Sequence, residues 1–242
     1  MNTIKVNHGN IKMVAHRGLS GIERENTTAA FIAAGNRSYY GIETDVHQCA
    51  DGELVVIHDE ATGRVADGNI VVEESTFAQL QQLNILDITG CGAAPRLDLK
   101  IPTLADYADI CQKYEKVAVL ELKPLFTEDA LKKIISTMEK AGVLENTVFI
   151  SFHWENMVMM RKLLPKQPLQ FLTSHPCTPE LIEQLDEHRL DLDIRHTQVT
   201  KELVDELHRR GLVINAWTCD TVEDFERLAE CGVDFVTSNI LE

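Results

Sequence analysis

Nine short apolar runs rich in Val, Ile and Leu recur along the chain: Ile11–Ala15, Gly41–Val46, Leu54–Ile57, Val117–Leu122, Thr147–Ser151, Leu169–Leu172, Leu190–Ile194, Leu212–Ala216 and Val233–Val236. They lack strict alternation, as strands do when buried on both faces of a parallel sheet. Amphipathic stretches with helix start and stop signals lie between them. Thr27–Gly35 begins at a threonine cap and stops at glycine, and Glu128–Ala141 runs into Gly142. Pro179–Glu187 opens with proline, and Lys201–Arg210 stops at Gly211. Strand alternating with helix predicts a parallel α/β sheet.

The second and third runs are separated only by His47–Glu53, whereas a parallel crossover needs about a dozen residues. Asp51-Gly52 signals a two-residue hairpin turn, so Gly41–His58 reads as strand, turn and antiparallel return. Eight parallel candidates remain, the number a closed (β/α)8 TIM barrel needs, and the 242 residues suit a fold of roughly 250. The segment from about 59 to 101 lacks a βα rhythm and contains Gly63, Gly68, Gly90, Gly92 and Pro95. It is predicted to be an insertion over the barrel top. No linker-like stretch or internal repeat divides 1–242, which predicts one domain.

A two-residue turn at Asp51-Gly52 places Asp45 opposite His58, with Cβ atoms roughly 5 Å apart. Glu43 shares Asp45's face because side chains alternate along a strand. Barrel enzymes build their sites at the C-terminal strand ends. There the first run ends at His16-Arg17-Gly18, the second carries Glu43-Thr44-Asp45, and the third parallel run ends at Glu121-Leu122-Lys123. The eighth of the nine runs ends beside Trp217. Three converging carboxylates, Glu43, Asp45 and Glu121, need a cation to offset their repulsion. Oxygen-only ligation selects Mg²⁺ or Ca²⁺, with Mn²⁺ a further candidate, rather than zinc.

Composition narrows the function classes. Hydrophobic residues make up 44% and charged residues 25%, the balance of a soluble globular chain. The net charge of −15 argues against nucleic-acid or anionic-membrane partners. A phosphate ester would then need a locally positive pocket, which a cation would help supply. Cys49, Cys91, Cys111, Cys177, Cys219 and Cys231 lie far apart without a CxxC pair, and read as free thiols in a reducing compartment. Met1–Lys12 has no apolar core of a signal peptide, and no stretch approaches the roughly 18 apolar residues of a membrane span. A cytoplasmic location is the expectation.

Taken in order, His16-Arg17-Gly18, Glu25-Asn26-Thr27, Glu43-x-Asp45-Val46, Asp51-Gly52, His58-Asp59, Ile101-Pro102-Thr103-Leu104, Glu121-Leu122-Lys123 and Ala216-Trp217-Thr218 cover nearly the whole chain. This ordered set resembles the glycerophosphodiester phosphodiesterase family, of the phospholipase C-like phosphodiesterase superfamily. The resemblance implies hydrolysis of glycerophosphodiesters to sn-glycerol 3-phosphate and an alcohol. It further implies one divalent cation on Glu43, Asp45 and Glu121, His16 and His58 as the acid–base pair, and Arg17 and Lys123 near the phosphate. Two departures are visible: Arg24 stands where the family often has proline, and the closing strand ends Thr237-Ser238-Asn239-Ile240 rather than in an Asp-x-Pro-like turn.

Two histidines titrating near neutrality suit a route through a cyclic phosphate. His16 reads as the first base and His58 as the acid, and the reverse order stays open. Glu25-Asn26-Thr27 reads as a helix cap, with Asn26 or Thr27 as N-cap, or else Glu25 contributes to the site, and Trp217 reads as a substrate-rim aromatic or a packing residue. His8, His47, His153, His175, His188, His196 and His208 read as surface or locally satisfied, although strand parity turns His47 to Asp45's face. Glu223–Glu230 reads as a solvated helix face. Competing readings are a lysophospholipid- or phosphoinositide-type phosphodiesterase, a non-catalytic barrel binding module, and an unrelated metal-dependent barrel hydrolase. No lipid-binding apolar helix or basic rim favours the first. All five proposed metal and acid–base residues are retained, against the second, and the absence of HxH or HExxH spacing counts against the third.

Overall fold

The structure, a computed structural model, describes residues 2–88 and 96–242. Its strands are β1 (Lys12–Ala15), β2 (Gly41–Gln48), β3 (Leu54–Val56), β4 (Val117–Leu122), β5 (Thr147–Ser151), β6 (Leu169–Thr173), β7 (Asp191–Arg195), β8 (Ile214–Trp217) and β9 (Phe235–Ser238). Each overlaps one of the nine apolar runs, and β2 and β9 extend two residues beyond the C-terminal end of their run. The sheet order is β1-β9-β8-β7-β6-β5-β4-β2-β3, and β1 also pairs with β2. All pairings are parallel except β2–β3. Eight parallel strands therefore close on themselves as a TIM barrel, with β3 a ninth strand outside the ring.

The helices are α1 (Thr28–Gly35), α2 (Phe77–Leu80), α3 (Leu104–Lys113), α4 (Glu128–Lys140), α5 (Trp154–Leu163), α6 (Pro179–His188), α7 (Lys201–Arg209) and α8 (Val222–Cys231). Apart from α2, each lies between successive barrel strands. A repeated local device starts them. Thr27, Thr103, Thr127, Thr178, Thr200 and Thr221 are N-caps whose hydroxyls accept from the backbone N–H three residues on. Each cap satisfies an orphan donor worth about 1 kcal/mol. The largest apolar cluster lies between barrel wall and helices, and includes Phe31, Ile42, Tyr107, Leu120 and Leu192. A smaller one fills the barrel interior around Val14, Val119, Ile150 and Leu172.

The hairpin differs from expectation by one residue. Gly52 N–H donates to Cys49 O at 2.8 Å, Cys49 N–H donates to Glu53 O at 2.8 Å, and Gly52 has φ +83°. The loop is thus Ala50–Gly52, three residues ending in a left-handed glycine, not the two-residue Asp51-Gly52 turn. A two-residue type I′ turn would force positive φ on both central residues, and Asp51 avoids it. Its side chain instead accepts from the N–H of Phe77 at 3.0 Å, at the start of α2. The register shifts accordingly: Val46 faces Val56, His47 faces Val55 and Gln48 faces Leu54. The predicted facing pair Asp45–His58 does not form, and Ile57 N–H donates to Asp45 O at 3.0 Å. His58 reaches the site from the chain just beyond β3.

The segment after His58 packs a core of its own, in which Val65, Val72, Leu80 and Ile101 bury against Val55 and Ile57. Cys91 and the Gly90, Gly92 and Pro95 of this insertion lie outside the described residues. The other five cysteines are free. Among the described residues, no helix is long and apolar enough to cross a membrane.

Candidate active site

The chain leaving β1 is bent by one glycine. Gly18 has φ +73°, and a Cβ there would lie 2.7 Å from the backbone of Ala30, so only glycine fits. The bend turns Arg17, itself at φ +54°, into the barrel mouth. Its backbone N–H donates to Glu43 Oε2 at 2.7 Å, its Nη1 donates to Glu25 Oε1 at 2.9 Å, and its Nε lies 3.5 Å from Asp45 Oδ2. Asn26, also left-handed at φ +53°, donates from Nδ2 to Asp45 Oδ2 at 2.7 Å and accepts from Thr44 Oγ1 at 2.7 Å. Both readings of Glu25-Asn26-Thr27 therefore hold: Thr27 caps α1 while Glu25 and Asn26 brace the site.

Parallel register sets Asp45 on β2 beside Glu121 on β4. With Glu43 they form a buried triad, 3%, 0% and 7% exposed, offering oxygens all within 4.8 Å of one another. Lys123 Nζ lies 2.9 Å from Glu121 Oε1 and 3.7 Å from Asp45 Oδ1. Burial and the charge of Asp45 push the Glu121 carboxyl up to about 7, and the same two causes push Glu43 well above the usual carboxylate range. Burial also works to raise Asp45, but Arg17 and Lys123 outweigh it and hold it below that range. Asp45 Oδ1 is buried with no hydrogen-bond donor. Crowded carboxylates, raised pKa values and an unpaired oxygen are what a divalent cation relieves, so this donor set could hold one.

Two imidazoles border the same cavity, which is also lined by Arg17, Glu43, Glu121 and Trp217. His16 Nδ1 lies 2.7 Å from Asn239 Oδ1, and Asn239 donates to Asp220 Oδ2 at 2.6 Å. The amide oxygen can only accept, so the Nδ1–H tautomer of His16 is fixed and Nε2 is left as a base. Burial, then Arg17, lowers the His16 pKa to about 4, so the ring is neutral at ordinary pH. His58 Nδ1 pairs with Asp59 Oδ1 at 2.6 Å. Burial lowers His58 as well, against the opposing charge of Asp45. Trp217 packs edge-to-face on Phe152, with ring centroids 5.7 Å apart.

The sequence-predicted residues His16, Arg17, Glu43, Asp45, His58, Glu121, Lys123 and Trp217 thus meet around one barrel mouth. His47, left open by strand parity, is buried beside it, with Nδ1 3.2 Å from Glu73 Oε1 and Nε2 3.4 Å from His58 O. His8, His188 and His208 bond locally, to Ile11 O, Gln184 O and Asp234. Sequence reasoning missed Asn26, Asn239, Asp220 and Arg64 as supports of the site. The departing turn at Thr237–Ile240 was the available signal for Asn239, which now proves to be the partner of His16.

The glycerophosphoryl diester phosphodiesterase family matches the chain over residues 16–241. A glycerophosphodiester phosphodiesterase of Caldanaerobacter subterraneus subsp. tengcongensis is 28% identical over 229 residues, 94% of this chain and 93% of that one. The crystal structure of a glycerophosphodiester phosphodiesterase from Parabacteroides distasonis superposes with a TM-score of 0.77 at 26% identity, covering 95% of this chain and 93% of the other. An Oleispira antarctica phosphodiesterase in complex with the product sn-glycerol-3-phosphate shares the fold, with a TM-score of 0.79 at 24% identity over 98% and 96% of the two chains. The chain belongs to the glycerophosphoryl diester phosphodiesterase family and is an enzyme of the phosphodiester-hydrolysing class.

Proposed function

We propose that this chain hydrolyses glycerophosphodiesters to sn-glycerol 3-phosphate and an alcohol, using His16 and His58 as its acid–base pair. The observation that carries the reading is a cavity lined by His16, His58, Arg17, Glu43 and Glu121, with Asp45 completing the carboxylate triad and Lys123 beside it. Two of the relatives' names support the substrate: the Caldanaerobacter enzyme is a glycerophosphodiester phosphodiesterase, and the Oleispira enzyme holds sn-glycerol-3-phosphate.

Glu43, Asp45 and Glu121 would hold one divalent cation, Mg²⁺ or Ca²⁺, which when bound supplies charge neutralisation to the phosphodiester. Arg17 and Lys123 add positive charge in a protein that is otherwise acidic. His16, neutral and fixed by Asn239, takes the proton from the glycerol 2-hydroxyl as that oxygen forms a bond to phosphorus. His58 gives a proton to the leaving alcohol oxygen as its bond to phosphorus breaks, and Asp59 stabilises the imidazolium that must exist beforehand. The product of this half-reaction is a cyclic phosphodiester. In the second half His58 takes a proton from water, the ring opens, and His16 returns its proton to the 2-oxygen.

The test is release of the free alcohol, choline or ethanolamine, from glycerophosphocholine, glycerophosphoethanolamine and lysophosphatidylcholine. Faster turnover of the water-soluble diesters supports the reading, and preference for the lysophospholipid overturns it.

A further inference from the structure

The wall of the cavity remote from the carboxylate triad contains two buried polar atoms without a hydrogen-bond partner, Asp193 Oδ1 on β7 and Trp217 Nε1 at the end of β8. β7 is the fourth strand from β2 in either direction around the ring, the position diametrically opposite Glu43 and Asp45. Both residues line the cavity that His16 and His58 share.

Asp193 is 2% exposed, and its other oxygen is held by Asn215 Nδ2 at 3.2 Å. Asn215 in turn donates to Gln170 Oε1 at 3.3 Å and accepts from Thr237 Oγ1 at 3.2 Å. This polar network fixes the carboxyl and leaves one oxygen unpaired on a residue that lines the cavity. Among the described residues Asp193 forms no ion pair, and it lies outside the carboxylate triad. An unpaired buried polar atom costs about 1–3 kcal/mol, so a built network that strands one points to a ligand group as the missing partner.

The chemistry of that partner follows from the two atoms. The indole N–H only donates, while a carboxyl oxygen can accept in either protonation state. A hydroxyl both accepts and donates, so it complements the pair. An anionic phosphate oxygen only accepts, so it would leave an accepting carboxyl oxygen without a donor. Resting on the glycerophosphodiester reading above, we propose that Asp193 Oδ1 and Trp217 Nε1 recognise the free terminal hydroxyl of the substrate's glyceryl group. Asp193 is then a specificity-determining residue that selects glyceryl esters over other hydroxyalkyl phosphodiesters.

The test compares kcat/KM for glycerophosphocholine with that for 2-hydroxyethyl phosphocholine, which keeps the attacking hydroxyl and the choline but lacks the hydroxymethyl group. A hydrogen-bonding site discriminates strongly against an analogue lacking the bonded group, so wild type is expected to favour the glyceryl ester by at least about tenfold. D193A should bring the ratio to within about threefold, through loss on the glyceryl ester alone. W217F, which keeps an aromatic ring but removes the N–H, should narrow the ratio in the same sense and serves if D193A does not fold. A ratio unchanged in both variants, or an equal loss on both esters, overturns the assignment of Asp193 while leaving the hydrolytic reading intact. A wild type that hydrolyses neither ester overturns both.

Discussion

Asp59 Oδ1 and His58 Nδ1 are hydrogen-bonded at 2.6 Å, and the same carboxylate is gripped by Arg64 through Nε at 2.6 Å and Nη2 at 3.2 Å. Arg64 also donates twice at 2.8 Å to Glu25, which accepts from Arg17. One arginine of the insertion therefore ties the orientation of His58 to that of Arg17. Arg64→Ala should lower kcat by about tenfold while moving KM little, because the lost contact orients reacting groups rather than binding substrate. Arg64→Lys cannot reproduce the forked geometry and should recover only part of the loss. Steady-state kinetics beside a thermal melt check this, and a fall in Tm with unchanged kcat would assign Arg64 a structural role alone.

Replacing His16 or His58 by alanine should cost about 10²–10⁴ in turnover, the range of a lost general acid or base. Neither imidazole belongs to the carboxylate triad, so divalent-cation binding measured by calorimetry should survive in both variants. Near-wild-type activity in either would contradict the acid–base assignment.

Gly18 is constrained in two ways at once. Gly18→Ala combines a left-handed φ with a 2.7 Å approach to the backbone of Ala30. Overpacking and backbone strain together should destabilise the fold by about 2–4 kcal/mol. Chemical denaturation of the variant measures it. A change below about 0.5 kcal/mol would mean the bend can move away from Ala30.

Glu242 gives the fold an acid-sensitive clasp. Its buried carboxylate accepts from the N–H and Oγ of Ser38, each at 2.6 Å, and from Thr3 Oγ1 at 2.6 Å, with Lys5 Nζ at 2.7 Å. Burial opposes ionisation, but Lys5, Ser38 and Thr3 outweigh it and lower the pKa from 4.5 to about 2. A depressed carboxyl pKa means the unfolded chain takes up protons first as pH falls. The stabilisation is fully present above pH 4.5 and is lost as pH falls through about 2. Glu242→Gln should therefore be less stable than wild type by about 1–3 kcal/mol at pH 7, with the gap closing towards pH 2. A gap that does not vary with pH would show that packing, not charge, carries the clasp.

Much of the fold was legible because a parallel barrel writes itself in apolar runs and threonine caps. The helix α5 is the contrary case: His153 precedes it without a side-chain cap, and its Met-rich face carries little pattern. The hairpin was legible in kind but not in register. Asp51-Gly52 announces a turn, while the choice between two and three loop residues depends on where the Asp51 side chain is bonded, here to the start of α2. In the site, the carboxylates and histidines interrupt hydrophobic strand ends and so stand out. Their supports do not, because Asn239 lies 223 residues from His16, Asp220 lies 19 from Asn239, and Arg64 lies 39 from Glu25, and no local pattern encodes such pairings.

Under the proposed reading, Glu43, Asp45 and Glu121 hold a divalent cation on which hydrolysis depends. Release of glycerol 3-phosphate from glycerophosphocholine, measured before EDTA treatment, after it and after adding back Mg²⁺ or Ca²⁺, tests this most directly. Loss of at least about 100-fold with EDTA, restored by one of the two ions in wild type but not in Asp45→Asn, is the expected result. Hydrolysis undiminished by EDTA, or full activity in Asp45→Asn, would contradict it.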